Sequence, residues 1–508
     1  MKMSTLAPVA IAILLTGCAV GPQYEKPNVQ LDSEYLYLAD TSPEATNLAL
    51  NKQAQSKQAK SQQQADYWWQ QFNDPVLNQL VRDAQQQSVP LKIAAEQIRM
   101  ARSYQSAIES FKVPTVNLGA GFANYQLSEN DPLLGSAITA VNPINGYKLG
   151  LVDDNNSAFF AGASIAWELD LFGRIDSQAN AAGIRKEQVV IMREGLTTLI
   201  TSDVIHNYLQ LRGAEDRKQI ALNTIEDQKQ TLRLVEQMVK SGYGSSLDKA
   251  RAEAMLAATQ AVVPQLEIAK NVHKQRLAFL LGETPKQIEQ RIGKQSSLPD
   301  FDGIIPTGLP SDLLNRRADI RIAEREMAAI SEERAAAVAS QYPKVFLTGA
   351  PGVLAKDFDD LFSSDSISWA ASIGISWNVF DGGRGDAIVD MQQARFDMSV
   401  LSYQQSVIGA FGEVETLLQG YGYSQQYVER VTYAAEATNI AVNKAKSLYR
   451  AGLSDYLSIL DAQRQQNAMK DRIVTAKLQT AHLTVGLHKA LGGDWHLNSK
   501  EQPNSESH

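Results

Sequence analysis

The sequence predicts an α+β membrane protein built by internal duplication. Each subunit supplies four β-strands to a trimeric 12-stranded β-barrel, and each strand pair continues into a helix of about 68 residues. Three observations predict this fold: a brief apolar leader ending at a lone cysteine, a self-match at an offset of 210 residues, and two proline-free runs far longer than a globular helix. Composition sets the bounds. The chain has 508 residues, 20% of them charged, and a net charge of -8, which offers no basic field for nucleic acid. Its one cysteine, Cys18, rules out an intrachain disulfide framework and any zinc site built on several thiolates. The six histidines include no HExxH motif. No enzyme, resident metal or cofactor is expected.

Residues 1–17 form a signal peptide, because Lys2 supplies a positive start and Leu6 to Leu15 an apolar core too short to span a bilayer. The segment ends in Leu15-Thr16-Gly17-Cys18, which resembles the bacterial lipobox and implies a covalent lipid on Cys18. An ordinary secretory peptide with an incidental cysteine is the alternative. Ala19, in place of aspartate, resembles the pattern of lipoproteins sent to the outer membrane. No later stretch holds the roughly eighteen unbroken apolar residues of a membrane helix, so any second membrane contact must be made by strands. Residues 18–74 read as anchor, tether and wrap, since Asn51 to Gln64 is a Gln/Ala/Lys/Ser tract without an apolar face.

Asp74-Pro75 places an N-cap before a proline at the first helical position, and the spacing of Val76, Leu77, Leu80 and Val81 predicts a helix to about Phe111. The duplication follows. At an offset of 210, Trp167 falls on Trp377, Gly173-Arg174 on Gly383-Arg384, Asp176 on Asp386, Gly242 on Gly452, Leu247 on Leu457, and Leu281-Gly282 on Leu491-Gly492. Period-two alternation predicts strands through Phe159 to Leu171 and Ile367 to Val379, with partners at Val113 to Leu127 and Pro343 to Val353. One face is apolar and the other small, polar or charged, which suits lipid outside and a wet lumen inside. A soluble β-sandwich with one wet face is the alternative. Four strands cannot close a membrane barrel, whereas three copies give twelve.

Gly173 to Ser241 and Gly383 to Ala451 contain no proline, so each predicts a helix of roughly 100 Å at about 1.5 Å per residue. Modest mean hydropathy, -0.25, with abundant Ala and Gln predicts helices packed as a coiled-coil wall. Both runs break at matched glycine tips, Gly242 and Gly452, and the returning helices end at Gly282 and Gly492. The domains are therefore 1–17, 18–74, a first repeat 75–282 with strand pair 113–172, an insertion 283–311, a second repeat 312–492 with strand pair 343–380, and a tail 493–508.

Three segments resemble a known family: Asp66-Tyr67-Trp68-Trp69-Gln70-Gln71-Phe72-Asn73-Asp74-Pro75, the run from Gly308-Leu309-Pro310 to Arg316-Arg317-Ala318-Asp319-Ile320-Arg321, and Leu460-Asp461-Ala462-Gln463-Arg464. They are similar to the TolC-like outer membrane efflux proteins, in the lipidated OprM or NodT branch, over nearly the whole chain. Ala318 stands where that pattern usually has proline. The resemblance implies a trimer whose barrel continues into an α-helical periplasmic tunnel, docked through an adaptor on an inner-membrane pump of RND or MFS type. Such a duct carries drugs and small toxic compounds; a duct for a type I protein secretion system and a trimeric structural or adhesive lipoprotein are the other readings. Leu457 and Asp461 match positions forming an apolar and an acidic ring at the periplasmic end. Arg464 and Arg251, the repeat counterpart of Asp461, are expected to pair with neighbouring helices and hold the gate shut, with solvated surface charge as the alternative. Gly242, Ser245, Gly452, Leu453 and Ser454 are expected to dock the adaptor or simply to cap helices.

Other motifs carry less. Arg384-Gly385-Asp386 recurs as Arg174-Ile175-Asp176, which fits a strand-to-helix turn with acid near a helix N-terminus better than an adhesion tripeptide. Gly293-Lys294 lacks the rest of a phosphate loop. His482 and His488, six apart, do not share the i,i+4 spacing of a metal pair. Trp167, Trp369 and Trp377 suit either an aromatic girdle or strand packing.

Overall fold

The computed structural model describes residues 20–22, 24–27, 32, 34–38, 67–132, 135–141, 147, 155–293, 296–301, 305 and 310–493. Cys18, the signal segment, the 51–64 tract, Gly308 and Leu309, Lys294 and the tail after 493 lie outside them. The chain divides into two compact units, one of residues 1–26, 100–187 and 325–400, the other of 27–99, 188–324 and 401–508.

The first unit holds an antiparallel sheet in the order β1 (Thr115–Gln126), β2 (Asn155–Leu169), β3 (Lys344–Ala355), β4 (Ile367–Ser376). Register places Val116 opposite Ile165, Ile165 opposite Gly349 and Gly349 opposite Ala371; Trp167, Leu347 and Ile373 form the next row, and Leu169, Val345 and Ile375 the one after. That face is apolar through these rows and turns polar at the far end of the first strand pair, where Asn124 lies opposite Ser157. The other carries Asn117 opposite Ser164, then Ala166, Thr348 and Ser372 in one row, with the Thr348 and Ser372 hydroxyls 2.8 Å apart. All residues of β1 and β4 are exposed, and both strands are edges. β3 runs past Pro351 to Ala355 and is longer than the alternation predicts. The missing proline N–H falls where the β2–β3 ladder skips Ala163–Ser164, so no ladder bond is lost there. β2 leaves the ladder at Leu169, where the Leu171 N–H turns back to the Leu169 carbonyl at 2.9 Å.

The duplication is visible atom by atom at the corner where each strand pair ends. The indole N–H of Trp167 donates to the Lys112 carbonyl at 3.1 Å, and that of Trp377 to the Gln341 carbonyl at 2.9 Å. The same two residues reach Asp176 and Asp386 with their side chains, at 2.5 and 2.9 Å. Both aspartates stand in the first turn of a long helix, where a carboxylate complements the helix dipole. β3 begins 229 residues after β1, against the offset of 210 from Trp167 onward; the stretch from the first strand of the pair to the tryptophan is nineteen residues longer in the first copy.

Those helices are α3 (Arg174–Lys240) and α8 (Arg384–Arg450), each of 67 residues, about 100 Å. They return as α4 (Ser246–Leu281) and α9 (Tyr456–Ala490). The helix expected over residues 75–111 is two, α1 (Pro75–Gln87) and α2 (Val89–Glu109). Pro90 has no N–H and its ring would collide with the carbonyl four residues back, so Ser88 turns extended, caps α1 through Ala84 O and starts α2 by accepting from Lys92. The second repeat likewise opens with two helices divided at extended Arg317, α6 (Leu313–Arg316) and α7 (Ala318–Ala339), after α5 (Pro285–Ile292) in the insertion. Ala318 opens α7, the helix start at which the family pattern has proline.

In the second unit one core joins Trp68, Trp69 and Phe72 with Leu77, Leu80 and Val81 of α1, Ile205, Tyr208 and Leu211 of α3, Leu277 and Leu281 of α4, and Val485 of α9. A buried polar chain crosses it. Asp74 caps α1 by accepting from Val76 and Leu77 N–H, the Tyr208 hydroxyl donates to the same carboxylate at 2.6 Å, and Arg212 reaches Tyr208 (3.0 Å), Glu215 (2.8 Å) and the Ile292 carbonyl (3.0 Å). Burial and the bond to Asp74 push the Tyr208 phenol up, which keeps it a donor. The expected wrap is described at residues 35–38: the Glu415 carboxylate of α8 accepts from Leu36 N–H (2.6 Å) and Tyr37 N–H (3.2 Å), and Tyr35 stacks on Phe411 at 5.7 Å.

Candidate functional site

The tips of the two helix hairpins carry the residues singled out by the sequence. Lys240 ends α3 and Arg450 ends α8, each followed by a glycine two residues later with positive φ, 77° at Gly242 and 70° at Gly452. Both turns make the same pair of bonds. Gly242 N–H donates to Val239 O and Tyr243 N–H to Met238 O, while Gly452 N–H donates to Tyr449 O and Leu453 N–H to Leu448 O, the paired bonds of a Schellman cap. The chain then re-enters helix. Ser245 caps α4 in a capping box with Asp248, and Asp455 caps α9 by accepting from Ser458 N–H and Oγ. Ser454 only donates to the Asp455 carbonyl, at 3.4 Å. Asp455 was missed by sequence reasoning, although the 210 offset from Ser245 points to it.

The side chains left outward mix apolar and charged groups: Tyr243 is 80% exposed, Leu453 76%, Leu247 55% and Leu457 49%, beside exposed Lys240, Arg450 and Asp455. Behind them the hairpins pack on one another through Val235 of α3, Ala252 of α4, Tyr449 of α8, and Tyr456, Ile459 and Leu460 of α9. Tyr449 and Tyr456 meet edge to face at 6.2 Å. Burial, with Tyr449 and Asp248 nearby, pushes the Tyr456 phenol up to about 12, so the cluster stays neutral at physiological pH.

The gate residues come together only in part. Leu457 and Asp461 stand one turn apart at the start of α9, both exposed. Arg251 of α4 and Arg464 of α9 line one cleft floored by Ala254, Met255, Ala258 and Leu460. The proposed pairs are not made within the subunit. Arg251 lies 4.0 Å from Asp248, and the Asp461 carboxylate accepts from Gln465 at 2.9 Å; among the described residues no ion pair joins Asp461 to either arginine. Asp461 leans along its own helix because Gln465 is its i+4 neighbour.

Among the described residues no group of three or more His, Cys, Asp or Glu side chains could hold a metal ion, and no helix is long and apolar enough to cross a membrane. Sequence reasoning also missed a histidine pair. His206 of α3 and His482 of α9, 276 residues apart in sequence, face each other with their Nδ1 atoms 3.1 Å apart.

Comparison with known proteins agrees with this anatomy. The family model described as outer membrane efflux protein matches residues 80–283 and 309–493. The solvent efflux pump outer membrane protein SrpC of Pseudomonas putida is 28% identical across 98% of this chain and 100% of its own length. The cation efflux system protein CusC of Escherichia coli O6:H1 is 25% identical across 97% and 100%. Among solved structures, the outer-membrane channel OprN superposes with a TM-score of 0.82 at 31% identity, covering 94% of this chain and all of that one. The open state of the Neisseria gonorrhoeae MtrE channel shares the fold, with a TM-score of 0.78 at 23% identity over 94% and 98%. The relatives are trimeric outer-membrane channels that extend into the periplasm and serve tripartite pumps, so an adaptor and an inner-membrane pump are the partners of the type. The chain belongs to the outer membrane efflux protein family, and it is a channel subunit of an efflux pump rather than an enzyme.

Proposed function

We propose that three copies of this chain form a passive exit duct for drugs and other small toxic compounds. It opens at the helix tips under an adaptor and an inner-membrane drug pump of RND or MFS type, and is held by lipid on Cys18. The observation that carries the duct is the sheet with one face apolar through its central rows and two open edges, β1 and β4. In hydrocarbon each unpaired backbone group costs several kcal/mol, and three such sheets joined edge to edge leave none unpaired in a ring of twelve strands. Small cargo is supported by the names of relatives, which export solvent, toluene, cations and pyoverdine.

The gate follows from the trimer axis. Three Leu457 side chains make an apolar constriction and three Asp461 carboxylates repel unless arginines of the adjoining subunit answer them; Arg251 and Arg464 stand on the cleft from which they would do so. The docking surface is the pair of turns around Gly242, Ser245, Gly452, Leu453 and Ser454, where exposed Tyr243 and Leu453 stand beside Lys240, Arg450 and Asp455.

A strain lacking the protein becomes hypersensitive to drugs and is rescued by the wild type, while a Leu457→Ala/Asp461→Ala variant adds leak to large antibiotics. Unchanged susceptibility, with no second duct in the cell, would move the assignment to protein secretion or to a structural role. Asp461→Ala and Arg251→Ala channels that conduct no more than the parent in planar bilayers would refute the lock.

A further inference from the structure

We propose that His206 and His482 form a two-imidazole binding site for a divalent transition-metal ion of the Cu2+, Ni2+ and Zn2+ class. The two rings come from α3 and α9, with centroids 4.9 Å apart and planes at 67°. Their Nδ1 atoms are 3.1 Å apart. Bonds of about 2.0–2.1 Å from one ion to two nitrogens put those nitrogens about 2.9 Å apart at a right angle and about 3.4 Å apart at the tetrahedral angle. The observed separation falls inside that window, so an ion enters with small ring rotations and no helix movement.

Empty, the pair shares one proton, since one Nδ1–H donates and the other Nδ1 accepts. Loading requires both Nδ1 lone pairs. The donor ring therefore passes its proton to its own Nε2 by tautomerisation, and two nitrogen–metal bonds replace one hydrogen bond with no net proton released from the neutral pair. His482 is exposed, leaving the remaining coordination positions to water.

The surroundings are modestly charged. Asp203, one turn earlier on α3, is 3.6 Å from Arg276 of α4, and His273 of the same helix has its Nδ1 on Asn207 at 3.0 Å. With two protein ligands, both nitrogen, the site favours Cu2+ in the usual order of affinities and refuses hard, oxygen-seeking Mg2+ and Ca2+. An ion there staples the first long helix to the last return helix.

The test uses the full chain as a detergent-solubilised trimer, without a histidine tag and with His496 and His508 replaced by Gln so that the tail does not compete. Cu2+ titration followed by electron paramagnetic resonance is expected to show one ion per subunit with two-nitrogen coupling. His206→Gln and His482→Gln should each abolish that signature, while His273→Gln keeps it. Exposed His482 serves as the variant that leaves folding intact. A two-nitrogen signal surviving either ligand variant, a one-nitrogen signal lost only with His482, or no saturable binding would each overturn the proposal.

Discussion

His488 is buried with no hydrogen-bond partner for Nε2, stacked on Trp68 at 4.1 Å and near Phe301 at 6.1 Å. Burial pulls its pKa from 6.5 down to about 3. Each pKa unit corresponds to about 1.4 kcal/mol, so protonation of the folded state is penalised by about 5 kcal/mol per subunit. Cation–π attraction of an imidazolium to the Trp68 indole, at most about 2 kcal/mol, is smaller than this penalty, so desolvation wins. Because the folded pKa is depressed, the unfolded chain takes up the proton first. The contribution is complete above pH 6.5 and is lost as pH falls toward about 3, at up to about 1.4 kcal/mol per pH unit. His488→Phe keeps the ring and deletes the proton. At pH 7.5 it sets a baseline offset from the wild type; at pH 4.5 the wild type should have lost about 2–3 kcal/mol more than the variant, read as a lower thermal midpoint of the helical circular dichroism. Since His206 and His273 also lie below their usual range and weaken both proteins alike on acidification, only the difference counts. Parallel pH profiles for the two proteins would refute the reasoning.

Three further outcomes are expected. Arg212→Met withdraws a guanidinium from buried Glu215, from Tyr208 and from the Ile292 carbonyl, and should cost about 3–5 kcal/mol, seen as a fall in trimer yield and melting temperature that adding Glu215→Gln partly restores. Gly242→Ala and Gly452→Ala add a Cβ that meets nothing within 4 Å, so only the left-handed backbone is penalised, by about 1–2 kcal/mol, and hydrogen exchange should accelerate at residues 238–243 and 448–453 alone. Cys18→Ser should abolish metabolic labelling with palmitate while leaving the trimer able to form; retained label would remove the lipid anchor from the account.

Much of this architecture is written in local patterns. Gly173 and Gly242 bracket α3 within two residues because glycine with positive φ is what ends or starts a helix so abruptly, and the same holds for Gly383 and Gly452 around α8. The strands were readable because lipid and lumen impose opposite demands on alternate residues. The misses have physical causes as well. Pro90 was in plain view, yet the apolar stripe runs on through it, and only the carbonyl clash forces Ser88 out of helix. Asp461 was placed correctly on its helix, but its i+4 neighbour Gln465 satisfies it inside the subunit, a competition that charge spacing does not express. His206 and His482 share no motif, and only the return of α9 beside α3 brings them together.

The two tips are built alike but dressed differently: Tyr243-Gly244-Ser245 at one, Leu453-Ser454-Asp455 at the other. Around a three-fold axis, two hairpins per subunit give six tips of two kinds, which under the proposed docking role would be six near-equivalent seats. A partner protein binding as six copies would therefore meet two classes of site, three of each, and one that reads only the shared Schellman backbone would occupy both. A partner that distinguishes tyrosine from leucine, or a neutral cap from an anionic one, would settle on three and leave three empty, so the duplication sets the stoichiometry available to the complex without any change in the fold.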